Sequence, residues 1–122
     1  MRLENDFYFT LSEETHEGEY RCKVRMNPEH RIYCGHFPDN PITPGVCLLQ
    51  MAEEILEKHL GQRLVLGKVT ELKFKAVVAP SDEPEFLFGI TRLEDGIMRV
   101  NVVVQDRDRQ FAKMSLRFED KD

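Results

Sequence analysis

The chain has 122 residues, a formal net charge of −5, 41% hydrophobic and 32% charged residues. These figures describe one soluble domain over residues 1–122 with room for a core; they exclude a disordered chain, and no apolar run approaches the ~20 residues a membrane-spanning helix needs. Lys and Arg are scattered along the chain, which excludes the concentrated basic face that nucleic acid rewards.

The N-terminal stretch "MRLENDFYF" carries acidic residues where a secretion signal would carry its apolar run. In "FYFTLS", Phe7, Phe9 and Leu11 alternate with other residues, and "EETHEGE" reads as a turn into "YRCKVRM". There Tyr20, Cys22, Val24 and Met26 point one way and Arg21, Lys23 and Arg25 the other, the pattern of a hairpin with one wet face. The three cysteines, Cys22, Cys34 and Cys47, lack the C-x-x-C spacing of zinc or redox sites and read as free thiols. A reducing, cytoplasmic setting is expected, with no metal and no cofactor.

"GHFPDNPITPGV", Gly35 to Val46, holds three prolines and two glycines around His36. Each proline fixes its own φ and restricts the residue before it, so the stretch is a shaped loop and neither a helix interior nor a central strand. It ends by opening a helix from about Val46 to Leu60, with Pro44 and Gly45 at the entrance and "GQ" as the stop. In that helix Leu48, Leu49, Ala52, Ile55, Leu56 and Leu60 form one apolar stripe, while Gln50, Glu53, Glu54 and Glu57 share the opposite, polar side. Beyond it the chain alternates with period two. Leu72, Phe74, Ala76 and Val78 form one such set; Phe86, Phe88 and Ile90 a second; Met98 to Val104 a third; Ala112 to Phe118 a fourth. Turns at "APSDEP", "LEDG" and "DRDRQ" separate them. Strands, one long helix, then antiparallel strands make an α+β pattern, and a single helix facing about five or six strands requires the sheet to curl around it. His16, His30 and His59 have no setting comparable to that of His36 and read as surface or boundary residues.

The string "HFPDNPITPGVCLLQMAEE" resembles the signature of the beta-hydroxyacyl-acyl-carrier-protein dehydratases of fatty acid synthesis, the FabZ and FabA type, in which H-F-P-x-x-P-x-x-P-G opens the central helix. His36, Phe37, Pro38, Pro41, Pro44 and Gly45 carry the match, and the likeness extends more loosely from about Tyr20 to Phe118. The resemblance implies a hotdog fold, a homodimer with each active site between protomers, and a substrate delivered on the phosphopantetheine of an acyl carrier protein.

Eliminating water from a 3-hydroxyacyl thioester needs a base for the C2 proton, an acid for the departing hydroxyl and donors to the thioester oxygen. His36 suits the base, because imidazole titrates near working pH, and the resemblance implies the same role. The N–H of Gly45 suits the thioester oxygen: the first amides of a helix lack internal partners, and the absent side chain lets substrate approach. Phe37, Pro44 and Val46 are candidates for lining the substrate site. The third group departs from the family pattern, which has Glu or Asp fourteen residues after the histidine, where this chain has Gln50. FabZ-type helices commonly read E-A-M-A-Q and this one reads "QMAEE", so acid and amide are exchanged and Glu54, one turn on, is the candidate acid. The leading expectation is a dehydratase acting in fatty acid or related lipid synthesis. Two alternatives stand beside it: a hotdog thioesterase, which the H-F-P loop disfavours, and a non-catalytic acyl-thioester-binding subunit, which Gln50 would allow. Lys73, Lys75, Arg92 and Arg117 are the candidates for docking an acidic carrier.

Overall fold

A computed structural model describes residues 2–35 and 40–120. Among these, β1 (Tyr8–His16), β2 (Glu19–Met26), β3 (Leu64–Phe74), β4 (Glu85–Arg92), β5 (Ile97–Gln105) and β6 (Gln110–Asp120) form one antiparallel sheet in the order β1-β2-β4-β5-β6-β3. A short helix α1 (Ile32–Gly35) precedes the long helix α2 (Gly45–Leu60), and this main helix against six strands is the architecture read from the sequence.

Period-two alternation translates into burial on four of the strands. Tyr20, Cys22, Val24 and Met26 of β2, Phe86 and Phe88 of β4, Met98, Val100, Val102 and Val104 of β5, and Ala112, Met114, Leu116 and Phe118 of β6 are all buried. Their opposite faces carry the exposed polar residues, as half-buried antiparallel strands require. The turns between them are tight. Glu17 and Gly18 both take positive φ (50° and 81°), so the first hairpin closes on two residues and β1 runs on through Glu13–His16, which the sequence reading had placed in a turn.

Three other expectations are corrected. At the start of β1 the buried apolar residues are Tyr8 and, just before the strand, Phe7, while Leu11 lies at the register shift between Thr10 and Ser12 and is exposed. The third strand begins at Leu64 instead of near Thr70, and Leu72 and Phe74 are exposed while Val78, beyond the strand, is buried. As an edge strand with β6 as its one neighbour, β3 is only partly covered by α2, whose start it meets at Phe74. On α2 the core face is turned toward Met51: Leu48, Met51, Ala52, Ile55 and Leu56 are buried, Leu49 and Leu60 only partly. Glu54, expected on the wet face, is 4% exposed.

The helix ends as its sequence dictates. Gly61 takes a left-handed conformation (φ 67°) and its N–H donates to the Glu57 carbonyl at 2.9 Å, a turn that any residue with a Cβ would resist. The Glu57 carboxylate then accepts from the Leu64 N–H at 3.0 Å, leading the chain directly into β3.

Candidate active site

The entrance of α2 is held from both sides of the proline loop. Tyr33, on α1, and Thr43, just before α2, are both buried, and their hydroxyls share a hydrogen bond of 2.8 Å. Burial raises the Tyr33 phenol above its ordinary value, which keeps its proton in place for that bond. The Thr43 N–H donates to the Val78 carbonyl at 2.8 Å, so the chain after β3 fixes the same point through its backbone. Pro44 is the N-cap with an extended backbone and offers no side-chain cap to the first turn of α2. The leading amides of α2 therefore keep the partial positive charge of an uncapped helix start.

Gly45 has a steric requirement that the sequence does not display. A Cβ at this position would stand 2.5–2.9 Å from three ring atoms of Phe74, whose ring comes over the helix start from the end of β3. The residue opposite Gly45 was missing from the sequence reading, because no spacing links positions 45 and 74. Because Phe74 is half exposed and its ring can swing aside, Gly45→Ala is expected to destabilise the fold by less than the ~1–3 kcal/mol of overpacking inside a core. Phe74→Ala in the same chain is expected to recover most of that loss in denaturant melts; an additive double mutant would show that the ring contact is not the cause.

Beyond the entrance, a cleft of ≈420 Å³ runs along α2, lined by Arg2, Val46, Leu49, Gln50, Glu53, Glu54 and Glu57. Val46 is 71% exposed at its mouth, and Gln50 and Glu53 are half-buried in its wall. Burial, with Glu57 and then Glu54 nearby, raises the Glu53 carboxyl above its ordinary value. Pro44, Gly45, Val46, Gln50 and Glu54 thus lie along one helix; His36 and Phe37 lie outside the described residues. A larger cleft of ≈620 Å³ between the β4 and β5–β6 ends has a charged lining, with Asp82 and Asp106 occupied by Arg109 at 3.1 Å each.

The Glu54 carboxylate is surrounded by donors. Oε2 accepts from the Leu3 N–H at 2.7 Å and from Gln50 Nε2 at 3.0 Å; Oε1 accepts from the Glu4 N–H at 2.9 Å and from the Tyr8 hydroxyl at 3.1 Å. Burial, and then Glu54 itself, raises the Tyr8 phenol well above its ordinary value, which keeps it a donor. The N-terminal segment is consequently docked on α2, with Leu3 and Phe7 in the core, and Asn27 Nδ2 donates to the Asp6 carbonyl at 2.8 Å on its other side. The buried apolar residues Leu3, Phe7 and Tyr8 were the available signal for this docking.

The remaining candidates are placed simply. Cys22 is buried, with its thiol pushed up to about 11, and burial also raises Cys47, so neither is poised as a nucleophile. Cys34 is exposed; all three are free. His30 pairs with Asp6 at 3.1 Å, and His59 stacks on Tyr20 with ring centroids 3.7 Å apart. Among the described residues no helix is long and apolar enough to cross a membrane.

A family model described as ApeI-like, ApeI dehydratase, matches residues 12–115. Among curated relatives, the 3-hydroxyacyl-[acyl-carrier-protein] dehydratase FabZ of Lactobacillus helveticus is 28% identical over 104 residues, 80% of this chain and 70% of that protein. The FabZ of Latilactobacillus sakei is 33% identical over 88 residues, covering 66% of this chain and 63% of the relative. Among solved structures, the dehydratase heterocomplex ApeI:P from Xenorhabdus doucetiae superposes with a TM-score of 0.68 at 17% identity, over 90% of this chain and 96% of the other. A hypothetical thioesterase with coenzyme A from Streptococcus pneumoniae gives 0.69 at 11% identity, over 97% and 91%. At such identities the structures establish the fold, and it is the hotdog fold.

Proposed function

The chain belongs to the ApeI-like dehydratase family, and from that premise we propose that it removes water from a 3-hydroxyacyl thioester carried on an acyl carrier protein, giving the trans-2-enoyl thioester. The observation that carries this reading is the fixed helix entrance, Thr43–Pro44–Gly45, set beside a cleft whose wall holds the Gln50–Glu54 pair. In the proposed reaction His36 takes the C2 proton and the C–H electron pair becomes the new double bond. The C3–O bond breaks with its electrons on oxygen, and the imidazolium supplies the proton with which that oxygen leaves as water. The Gly45 N–H faces the charge that builds on the thioester oxygen, and Gln50 holds the departing hydroxyl, while Glu54, expected from the sequence to be the acid, is buried under the N-terminal segment. Fatty acid or related lipid synthesis in the cytoplasm is the setting this chemistry fits.

One observation favours a second reading. The family's carboxylate position is Gln50, an amide with no proton to give, which suits an acyl-binding subunit beside an active partner. The ApeI:P neighbour is itself a heterocomplex. Incubating the protein with 3-hydroxyacyl and 2-enoyl thioesters on a carrier separates the readings: interconversion supports the dehydratase, free thiol a thioesterase, and neither the binding subunit.

Assembly and carrier docking have support in the sheet. Val69, Leu72 and Phe74 of the edge strand β3 are exposed apolar residues on one face, a surface that a second copy would cover. A dimer is expected in light scattering at micromolar concentration, and Leu72→Asp is expected to shift it toward monomer; a monomeric wild type would count against a site shared between protomers. On the outer face, Lys73 stands opposite Lys113, and Arg117 opposite both Lys68 and Arg99. Like charges facing one another across strands cost stability, and an acidic carrier would relieve them. Of the other two docking candidates, Lys75 donates to Gln110 Oε1 at 2.5 Å, and Arg92 stands opposite Met98 outside that row. Carrier affinity is expected to fall between low and physiological ionic strength, and affinity indifferent to salt would remove this surface from docking.

A further inference from the structure

Resting on the acyl-thioester reading above, we infer that Glu54 is a positioning residue: its buried carboxylate, clamped by the N-terminal segment, orients the Gln50 amide so that Gln50 recognises the 3-hydroxyl of the acyl chain.

Three features of the geometry converge on this. Residues four apart on a helix share a face, and Gln50 Nε2 stands 3.0 Å from Glu54 Oε2. A carboxylate only accepts, so the amide is turned with its nitrogen toward Glu54 and its carbonyl oxygen away. Next, Glu54 cannot swing. Both of its oxygens are engaged by the segment around Leu3–Tyr8. Last, the two side chains differ in access. Glu54 is buried, whereas Gln50, one turn nearer the helix start, stands half-buried in the cleft wall between Val46 and Glu53. Gln50 is therefore the member of the pair that a ligand meets, and Glu54 acts through it.

The exchange of acid and amide along the helix then acquires a physical meaning. A glutamate at position 54 is the part of the pair that can gather two backbone amides and a phenol at once, leaving the neutral group to face the substrate. The N-terminal segment becomes part of the site's scaffold although no motif includes it.

The test uses pantetheine analogues in which an amide replaces the thioester, made with and without the 3-hydroxyl, and titrated into wild type, Gln50→Ala, Glu54→Gln and the double variant by calorimetry. Wild type is expected to prefer the hydroxylated analogue about tenfold, the worth of one good hydrogen bond. Each single variant should lose that preference, the double should lose no more, and affinity for the deoxy analogue should stay constant. A merely structural role would weaken both analogues alike. The kcat pH profile of Glu54→Gln should keep every limb of the wild-type profile. Retention of the hydroxyl preference in Glu54→Gln, or loss of a pH limb, overturns the inference; equal binding of both analogues by wild type overturns it while leaving the acyl-thioester reading standing. Binding of neither overturns both. If Glu54→Gln does not fold, Gln50→Ala decides: it leaves the clamp intact, and a retained hydroxyl preference there removes Gln50 as the recognising group and Glu54's role with it.

Discussion

Replacing His36 by Asn is expected to lower turnover of 3-hydroxyacyl thioesters by about 10²-fold or more, with fold and assembly unchanged, because proton transfer in the transition state is worth that much and an amide cannot perform it. The fold should survive. Among the described residues the ties that set the entrance of α2 are the Tyr33–Thr43 bond and the Thr43–Val78 backbone bond, and neither uses the imidazole. Steady-state kinetics alongside circular dichroism and light scattering check both halves of the expectation. Undiminished turnover in the Asn variant would remove His36 from the mechanism, and loss of the fold would make it a structural residue instead.

Glu54→Ala is expected to cost at least about 1–3 kcal/mol of folding stability, the range for leaving one buried donor without its acceptor. The Leu3 and Glu4 amides and the Tyr8 hydroxyl would lose their common acceptor, and each buried donor left unmade carries its own desolvation cost. Hydrogen exchange gives the local readout: the amides of Leu3 and Glu4 should lose protection far more than those of β5, where the ladder is independent of the clamp. A loss below about 1 kcal/mol with protection intact would show that water replaces the carboxylate without penalty.

How much of this was legible in the sequence depends on what each residue's environment asks of it. Strands β2, β4, β5 and β6 were legible because each lies inside the sheet, where one face must be apolar along its whole length. At β3 the same alternation misled, since an edge strand only partly covered by the helix can expose Val69, Leu72 and Phe74. The helix was legible in its extent, through Pro44–Gly45 at one end and Gly61 at the other, but its rotation was not. Periodicity treats a glutamate as wet, and Glu54 is buried through partners more than forty residues away in sequence. The Gly45–Phe74 contact was invisible for the same reason: it is a fact about two elements meeting. The motif named the site's residues one by one, and tertiary structure determines which of them a ligand can meet.

The Tyr33–Thr43 bond makes the proline-rich segment a closed ring whose clasp is a pair of side chains. Bringing Tyr33 and Thr43 together removes conformational freedom once, as the protein folds, so the entrance of α2 does not have to be set each time a substrate arrives. The tie joins two side-chain hydroxyls and is backed by the Thr43 N–H to the Val78 carbonyl, so its partners are Tyr33, Thr43 and Val78. A substitution at His36 leaves all three of these partners in place, which is how the chemistry of this segment can change while the helix start stays where it is.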